Sequence, residues 1–324
     1  KDLLLYRQIR PSTGFSQVYT NYGEIENKGF EFSLAYNKRL NKDWSINATL
    51  TGSTLKNKIK KMGEPAYNTN SDSSGKGTED GSNTGAVGAA AGYHWGNHSI
   101  CKEGYAVGSF YGFRVEGVFQ SDAEVEAMNK AATLAAGKDW EKEKVYYQTD
   151  GTKAGDFKYK DLNGDGTITY GSNTVDDPGD QKIIGNSMPN YEYSFTIGLD
   201  YKGFDFSTYF QGVGSRDYWA YGNVAIPSGM SALDAIFTHQ TDYWTPQNTD
   251  AFYPRPTDHN WVSDGQNFKI QDRYLSDMSY LRCKNITLGY SLPKNLLKKI
   301  DFQKVRVYFS AENMFTWDNM HLPV

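Results

Sequence analysis

The sequence predicts an all-β protein, and specifically part of a large antiparallel β-barrel that crosses a membrane. Apolar and polar residues alternate along segments of about ten residues, as in a strand with one apolar and one hydrated face. Pairs of these segments flank short turns and are separated by long polar stretches. Aromatic residues gather beside the short turns, where a barrel places an interfacial girdle.

Composition and charge restrict the possible classes of protein. Hydrophobic residues make up 38% of the 324 residues and aromatic residues 15%, with 24 Tyr and 17 Phe. Tyrosine suits a surface that is apolar along the ring and wet at the hydroxyl. No apolar run approaches the roughly 18 residues of a membrane helix, which excludes a helical membrane protein. The net charge of -4 gives no indication of a nucleic-acid partner.

Six predicted strands form three hairpins. The clearest turn is Lys202-Gly203, and a brief turn around Asn41 joins another pair. In each hairpin the apolar side chains fall on one parity and therefore on one face. These apolar positions are Phe30, Phe32, Leu34 and Tyr36 with Trp44, Ile46, Ala48 and Leu50; Tyr191, Tyr193, Phe195, Ile197 and Leu199 with Phe204, Phe206 and Phe210; and Ile286, Leu288 and Tyr290 with Val305, Val307, Phe309 and Ala311.

A soluble β-sandwich also has alternating strands, so strand length has to separate the two folds. Sandwich strands usually have about 5–6 residues, whereas strands that cross a membrane need roughly 9–11. The predicted segments reach about ten residues, which favours the barrel. Their polar face carries Glu192, Asp205, Gln211 and Glu312, which we expect to face a water-filled lumen.

Long polar stretches separate the hairpins and predict extracellular loops at about residues 59–104, 120–188 and 214–275. The second stretch contains one run with helical character, residues 123–138. Short turns on one side and long loops on the other are typical of bacterial outer-membrane barrels, whose short turns are periplasmic.

The predicted loop at 214–275 is rich in aromatic residues among Asp, Asn and Gln. Exposed rings in such surroundings are suited to stacking on sugars or gripping a peptide. Equally, the rings could pack the loops into a stable external cap. The candidate substrate-binding residues are Tyr218, Trp219, Tyr221, Tyr243, Trp244 and Trp261.

One acidic segment is similar to the first half of an EF-hand calcium loop. Asp161, Asn163, Asp165 and Thr167 supply alternate oxygen side chains around a glycine turn. The twelfth position is Ser172, where a bidentate acid is expected. The segment therefore predicts either a calcium site or an Asx-rich turn that its own side chains stabilise. No other cofactor is indicated.

Catalytic motifs are absent from the sequence. It contains no G-x-S-x-G, Walker-type or H-E-x-x-H segment, so we predict that the protein is not an enzyme. The two cysteines, Cys101 and Cys283, leave open both a disulfide and two free thiols.

Six phrases follow one another along the chain: residues 21–31 (NYGEIENKGFE); 108–113 (GSFYGF) with 116–119 (EGVF); 155–166 (GDFKYKDLNGDG); 184–186 (IGN) with Pro189; 280–290 (YLRCKNITLGY) with 292–293 (LP); and 307–315 (VYFSAENMF). Together these phrases resemble the SusC/RagA family of TonB-linked outer-membrane transporters of Bacteroidetes. The resemblance implies that residues 1–324 are the C-terminal part, roughly the final third, of a 22-stranded barrel. It also implies that the plug domain that fills the lumen lies outside this chain.

The same resemblance implies a function and partners. The expected activity is TonB-energised import of oligosaccharides or peptides across the outer membrane. The expected partners are a SusD-like surface lipoprotein, TonB through the missing N-terminal part, a glycan or peptide substrate, and outer-membrane lipid. Two alternatives stay open, namely an outer-membrane adhesin or receptor without transport, and a secreted carbohydrate-binding β-sandwich.

Overall fold

A single large antiparallel sheet dominates the computed structural model, which describes residues 3–8, 13–15, 17–61, 99–100, 103–171, 176–220, 225–226, 236–257, 266–297 and 302–320. Seven strands form this sheet in the order β1-β2-β3-β9-β10-β13-β14. Their bounds are β1 Leu3–Gln8, β2 Gln17–Arg39, β3 Trp44–Lys61, β9 Tyr191–Tyr201, β10 Phe204–Gly214, β13 Tyr280–Ser291 and β14 Arg306–Asp318.

All six predicted strands are confirmed, and each predicted hairpin is a pair of neighbours in the sheet. The strands are longer than predicted, with 23 residues in β2 and 18 in β3. The seventh strand, β1, was not predicted and pairs with the beginning of β2. The expected count of 22 strands stays a prediction, because the seven strands described form an open sheet.

Turn chemistry sets the register of the hairpins. Lys202 and Gly203 both have positive φ, 46° and 91°, and they connect the paired residues Tyr201 and Phe204. Two positive φ angles define the type I′ turn, whose twist matches that of the flanking strands. In the β2–β3 turn, the Asn41 side-chain oxygen accepts the backbone N–H of Trp44 at 2.9 Å. Trp44, after one turn, pairs with Tyr201, before the other, so the two turns lie at the same edge of the sheet.

The segments between the hairpins form a second body, which we call the cap: the described residues between 103 and 188 and between 215 and 279. Its strands are β5 Ser109–Phe113, β6 Val115–Val118, β7 Phe157–Tyr159, β8 Gln181–Asn186, β11 Asp217–Trp219 and β12 Leu275–Asp277, with the two-residue β4 Ser99–Ile100 paired to β5. Its helix α1 is Asp122–Ala135, close to the predicted helical run, and a short α2 at Lys294–Leu297 lies between β13 and β14. Among the described residues, no helix has both the length and the apolar character that crossing a bilayer would require.

The cap has an aromatic core of its own. Phe113, Phe157, Tyr159, Trp219 and Tyr274 are almost completely buried there. The rings meet edge-on: Phe157 and Trp219 each contact Tyr274, with centroids 5.6 and 6.3 Å apart. Burial raises the pKa of the Tyr159 and Tyr274 hydroxyls well above the ordinary value, which keeps both groups neutral. The described parts of the second and third polar stretches thus fold into a packed body instead of irregular loops.

A buried ion pair connects two distant parts of the cap. Asp156 is fully buried; its carboxylate accepts a hydrogen bond from Arg255 Nη2 at 3.0 Å and lies 2.8 Å from Arg255 Nε. The same carboxylate accepts the side-chain amide of Asn267 at 2.9 Å and the backbone N–H of Lys153 at 2.9 Å. Gly155 permits this approach, because a Cβ there would lie 2.5 Å from the Trp244 ring. The Asp156 carboxylate therefore holds together the segments that contain Lys153, Arg255 and Asn267.

Replacing Asp156 by Asn should destabilise the cap by about 3 kcal/mol, because the change leaves the Arg255 charge partly buried without a counterion. Amide hydrogen exchange at residues 155–157 and 255–257 in the full-length protein would measure the loss. The matched control is Asp139→Asn, which removes a solvent-exposed pair with Lys142 and should cost less than about 1 kcal/mol. Equal effects of the two substitutions would mean that the buried ion pair between Asp156 and Arg255 does not stabilise the cap.

Candidate functional site

The sheet has one apolar face that is exposed to its surroundings. Cross-strand pairing places Ile46, Leu199, Phe206, Leu288 and Phe309 side by side on five consecutive strands. Leu288 is 50% exposed and Phe309 66% exposed. A continuous apolar surface of this kind is unfavourable in water and favourable in lipid. The predicted alternation is therefore confirmed across these five strands, and the face that it creates is suited to hydrocarbon.

An aromatic row borders the apolar face at the short-turn edge. Trp44, Tyr201, Phe204 and Tyr290 are directly opposite one another across four strands. Trp44 stacks on Tyr201 with ring centroids 4.3 Å apart, and Phe204 lies 4.5 Å from Tyr290. Rings with polar edges prefer the boundary between lipid and water. This row confirms the aromatic residues that the sequence placed beside the turns.

A second aromatic boundary lies at the other end of the same strands. The Tyr191 and Tyr193 rings stack with centroids 6.3 Å apart and cover Gly214 and Gly212 of the neighbouring strand. A Cβ on Gly212 would lie 2.2 Å from Tyr193 Cζ, so the glycine makes room for the ring. Tyr191 and Tyr201 are about ten residues apart, which is roughly 34 Å along the strand or about 26 Å at a tilt near 40°. That height matches the apolar band of about 25 Å in membrane barrels.

The opposite face of the sheet is polar and linked by hydrogen bonds between strands. Ser45 donates to Asp200 at 2.6 Å, and the Thr51 and Ser194 hydroxyls are 2.7 Å apart. A shallow concavity of about 590 Å³ lies on this face. Its polar lining includes Glu31, Glu192, Tyr209 and Gln211. Predicted lumen residues Glu192 and Gln211 thus share one hydrated surface.

An ion pair crosses a whole strand on this polar face. Arg306 on β14 donates from Nε to Asp205 on β10 at 3.0 Å, passing over Gly289 on β13. A Cβ on Gly289 would lie 2.5 Å from Arg306 Nη2, so any larger residue would obstruct the pair. Asp205 therefore lies on the predicted polar face but is occupied by Arg306. Glu312 is also on this face and is exposed there.

The predicted substrate-binding aromatics divide into three groups. Tyr218 is 44% exposed and Tyr243 is partly exposed, so both rings can meet a ligand. Trp219 and Trp244 are only 1% and 8% exposed, and the expectation of exposed rings is wrong for these two. Their surface is used in packing the cap core, which is the other interpretation of this loop. Two further candidates, Tyr221 and Trp261, lie outside the described residues.

The acidic segment folds as a tight turn that uses its own side chains as acceptors. Asp161 accepts the backbone N–H groups of Gly164 at 2.6 Å and Gly166 at 2.9 Å. Asp165 accepts both the N–H and the hydroxyl of Thr167, at 2.8 and 2.7 Å, and Asn163 accepts the Asp165 N–H at 2.9 Å. Burial acts to raise the pKa of Asp165, but the bonds from Thr167 and Asn163 outweigh it and the pKa lies below its ordinary value.

A distant carboxylate closes this turn. Asp180 is fully buried and accepts the backbone N–H groups of Leu162 and Thr169, each at 2.8 Å. Burial raises the pKa of Asp180 above its ordinary value despite these bonds. Among the described residues, no group of three or more His, Cys, Asp or Glu side chains is arranged to hold a metal ion. The Asx-turn interpretation thus has its hydrogen bonds in place, and calcium stays a prediction.

Comparison with known proteins gives consistent matches over almost the whole chain. The TonB-dependent receptor P3 of Formosa agariphila is 30% identical over 317 residues, which cover 98% of this chain and 27% of the relative. The TonB-dependent receptor SusC of Bacteroides thetaiotaomicron is 27% identical over 97% of this chain and 25% of its own length. The RagAB peptide transporter matches in structure with a TM-score of 0.60 at 20% identity, over 98% of this chain and 28% of that one. No family model matches the chain.

Over almost its whole length the chain is similar to TonB-dependent receptors, SusC among them. It spans about a quarter of the length of the curated relatives it matches. The structural match shows that the sheet and cap share the fold of the matched part of the RagAB peptide transporter. The relatives are named as receptors and transporters.

Several residues that shape this SusC-type sheet and cap were not predicted. Asp156, Arg255 and Asn267 are far apart in sequence, and only the folded cap shows that they share one buried carboxylate. The role of Gly289 could not be predicted from the sequence either, because it depends on the Arg306 and Asp205 side chains of two other strands. Cys283 is a buried free thiol within 3.7 Å of the Thr208 hydroxyl, whereas Cys101 lies outside the described residues.

An arginine in the middle of the apolar face should destabilise the sheet. Ile197 lies midway between the aromatic rows, and Ile197→Arg should cost about 2–4 kcal/mol in lipid. The matched control is Thr196→Arg, one residue along on the polar face, which should cost much less. Urea unfolding of the full-length protein in lipid vesicles would compare the two. A similar, small effect of both substitutions would mean that Ile197 does not face hydrocarbon.

Proposed function

We propose that this chain is part of the wall and external cap of an outer-membrane importer that takes up oligosaccharides or peptides. Import is energised by TonB, which acts through a part of the protein outside this chain, and a SusD-like surface lipoprotein works with the cap. The observation that carries the proposal is the sheet with one lipid-suited face and one hydrated face, bordered by two aromatic rows.

The secreted β-sandwich is the weaker alternative because of the exposed apolar face. A sandwich packs the apolar faces of two sheets together about 10 Å apart. Within the described part of the chain, Leu34, Leu288 and Phe309 are instead at least half exposed. The face is therefore better explained by lipid than by a second sheet.

The names of the relatives and the concavity on the polar face favour import over adhesion. The matched solved structures are of a peptide transporter, RagAB, and the curated relatives are TonB-dependent receptors. The concavity that contains Glu31, Glu192 and Gln211 lies on the face expected to line the lumen.

Substrate contact is assigned to the exposed rings of the predicted set, Tyr218 and Tyr243. Tyr218 is on β11, which begins three residues after the end of β10 and pairs with β12. A tyrosine can stack on a sugar ring or a peptide side chain and still hydrogen-bond through its hydroxyl. Both substrate classes therefore remain in the proposal.

Uptake of fluorescently labelled oligosaccharides and peptides by cells that make the full-length protein tests the proposal. We expect internalisation of one class, its loss when TonB is deleted, and retained binding at the cell surface. Tyr218→Ala should weaken ligand binding by about 1 kcal/mol, whereas Tyr146→Ala, at a cap tyrosine outside the predicted set, should not. Surface binding with no internalisation, whether or not TonB is present, would establish the adhesin instead.

Calcium binding at Asp161, Asn163, Asp165 and Thr167 remains part of the proposal. Alternating oxygen ligands around a glycine turn are the chemistry that calcium prefers. We expect 1 mM calcium, about the concentration at which weak extracellular sites fill, to slow proteolysis of the cap. Asp165→Ala should abolish that protection, whereas Asp150→Ala should not. If calcium protects neither the wild type nor the Asp150→Ala variant, the segment is an Asx turn only.

A further inference from the structure

The upper end of the β2–β3 hairpin carries a row of lysines. We call Lys28, Lys56, Lys58 and Lys60 the lysine ladder. Lys56, Lys58 and Lys60 alternate along β3, and Lys28 is directly opposite Lys56 on β2. Alternate residues of a strand share one face, so all four side chains project from the same side of the hairpin. The side chains of all four are exposed.

That side is the continuation of the apolar face. Lys56 has the same parity as Trp44, Leu50 and Thr54, and Thr54 is directly opposite Tyr191 of the upper aromatic boundary. The ladder therefore begins just beyond that boundary. With a strand tilt near 40°, Lys56 lies roughly 5 Å beyond it, at the depth of the lipid headgroups. Lys58 and Lys60 lie roughly 10 and 15 Å beyond it, at the outer edge of that layer and above it.

The other side of the hairpin is already occupied at this height. Asn57 accepts the backbone N–H of Val107 at 2.8 Å, and Ile59 is buried. The Ile59 backbone also exchanges hydrogen bonds of 2.8 Å with Tyr105 and Gly104. The cap thus covers the inward side, and the lysines are left facing outward.

Charge on the ladder is only partly balanced. Glu26 lies 3.0 Å from Lys28 Nζ and 3.6 Å from Lys60 Nζ. Within the part of the chain that the structure describes, Lys56 and Lys58 have no carboxylate within 4.0 Å. Like charges opposite one another, as at Lys28 and Lys56, destabilise a sheet. An anion placed beside them would remove that cost.

We propose that the lysine ladder binds the phosphate groups of anionic lipids in the outer leaflet of the surrounding membrane. The inference rests on the membrane location within the proposed function. A lipid fits better than a soluble anion because its acyl chains would lie on the apolar face directly below its phosphate. Lysine is suited to this contact, since its long stem can lie along the apolar surface while the ammonium group reaches the headgroup.

Native mass spectrometry of the full-length protein in detergent would test the ladder. The probes are dioleoyl phosphatidylglycerol, which is anionic, and dioleoyl phosphatidylcholine, which has the same chains and no net charge. We expect K56Q/K58Q to weaken phosphatidylglycerol binding about 30-fold at low salt, since each lysine near an anionic surface contributes roughly fivefold. Binding of phosphatidylcholine should not change. The matched control, K130Q/K142Q, removes two charges from the cap and should leave both lipids unaffected.

Three outcomes would overturn the proposal. One is equal phosphatidylglycerol binding by the wild type and K56Q/K58Q, and another is an equal loss in K130Q/K142Q. The third is displacement of the lipid by millimolar inorganic phosphate, which would show a site for a free anion. The membrane location is tested separately by insertion of the wild type into vesicles. A protein that inserts but shows any of these outcomes retains the proposed function and loses only the lipid site.

Discussion

Complete backbone pairing in a lipid-facing sheet is the constraint on which the rest of the structure depends. In hydrocarbon no water can satisfy an unpaired N–H or C=O group, so strands must run in long, continuous ladders. From β3 to β13 the pairing is continuous through rows of ten or more residues, with only a local shift near Cys283. Once the ladders are fixed, period 2 fixes the faces, and a slip of one residue would exchange them. The type I′ turn at Lys202-Gly203 matters because it sets that register.

The cap is stabilised in a different way from the sheet, and the change occurs where the long strands end. β10 ends at Gly214, and Ser215, with a φ of 52°, turns the chain before β11 begins. Asn190 donates from its side chain to the Ser215 hydroxyl at 2.9 Å, which ties the turn to the start of β9. Beyond this point stability comes from a buried aromatic core and from Asp156, as in a soluble domain. The cap can therefore vary in sequence without altering the ladders below it.

The sequence predicted the sheet better than the cap, for a physical reason. Alternation and turns are local, so Phe204, Phe206 and Leu288 reveal their common face without knowledge of their partners. Burial in the cap is not local: Trp219 and Trp244 are buried, and residues far along the chain contact them, Tyr274 for Trp219 and Gly155 for Trp244. The same holds for Asp156, whose partners Arg255 and Asn267 no spacing rule could identify. Loop aromatics among polar residues predict exposed rings and packed rings equally well, and only the fold separates them.

One face of β3 passes through three environments, and its side chains change accordingly. Trp44 lies at one boundary, Ile46 and Leu50 lie in the apolar band, and Lys56 lies beyond the second boundary. Their shared parity requires that all of them point away from the polar face, whatever the remainder of the barrel contains. The lysines cannot serve the lumen, and the cap already covers Asn57 and Ile59 on the other side. What remains for them is the layer that surrounds the barrel at that height, and in a membrane that layer consists of lipid headgroups.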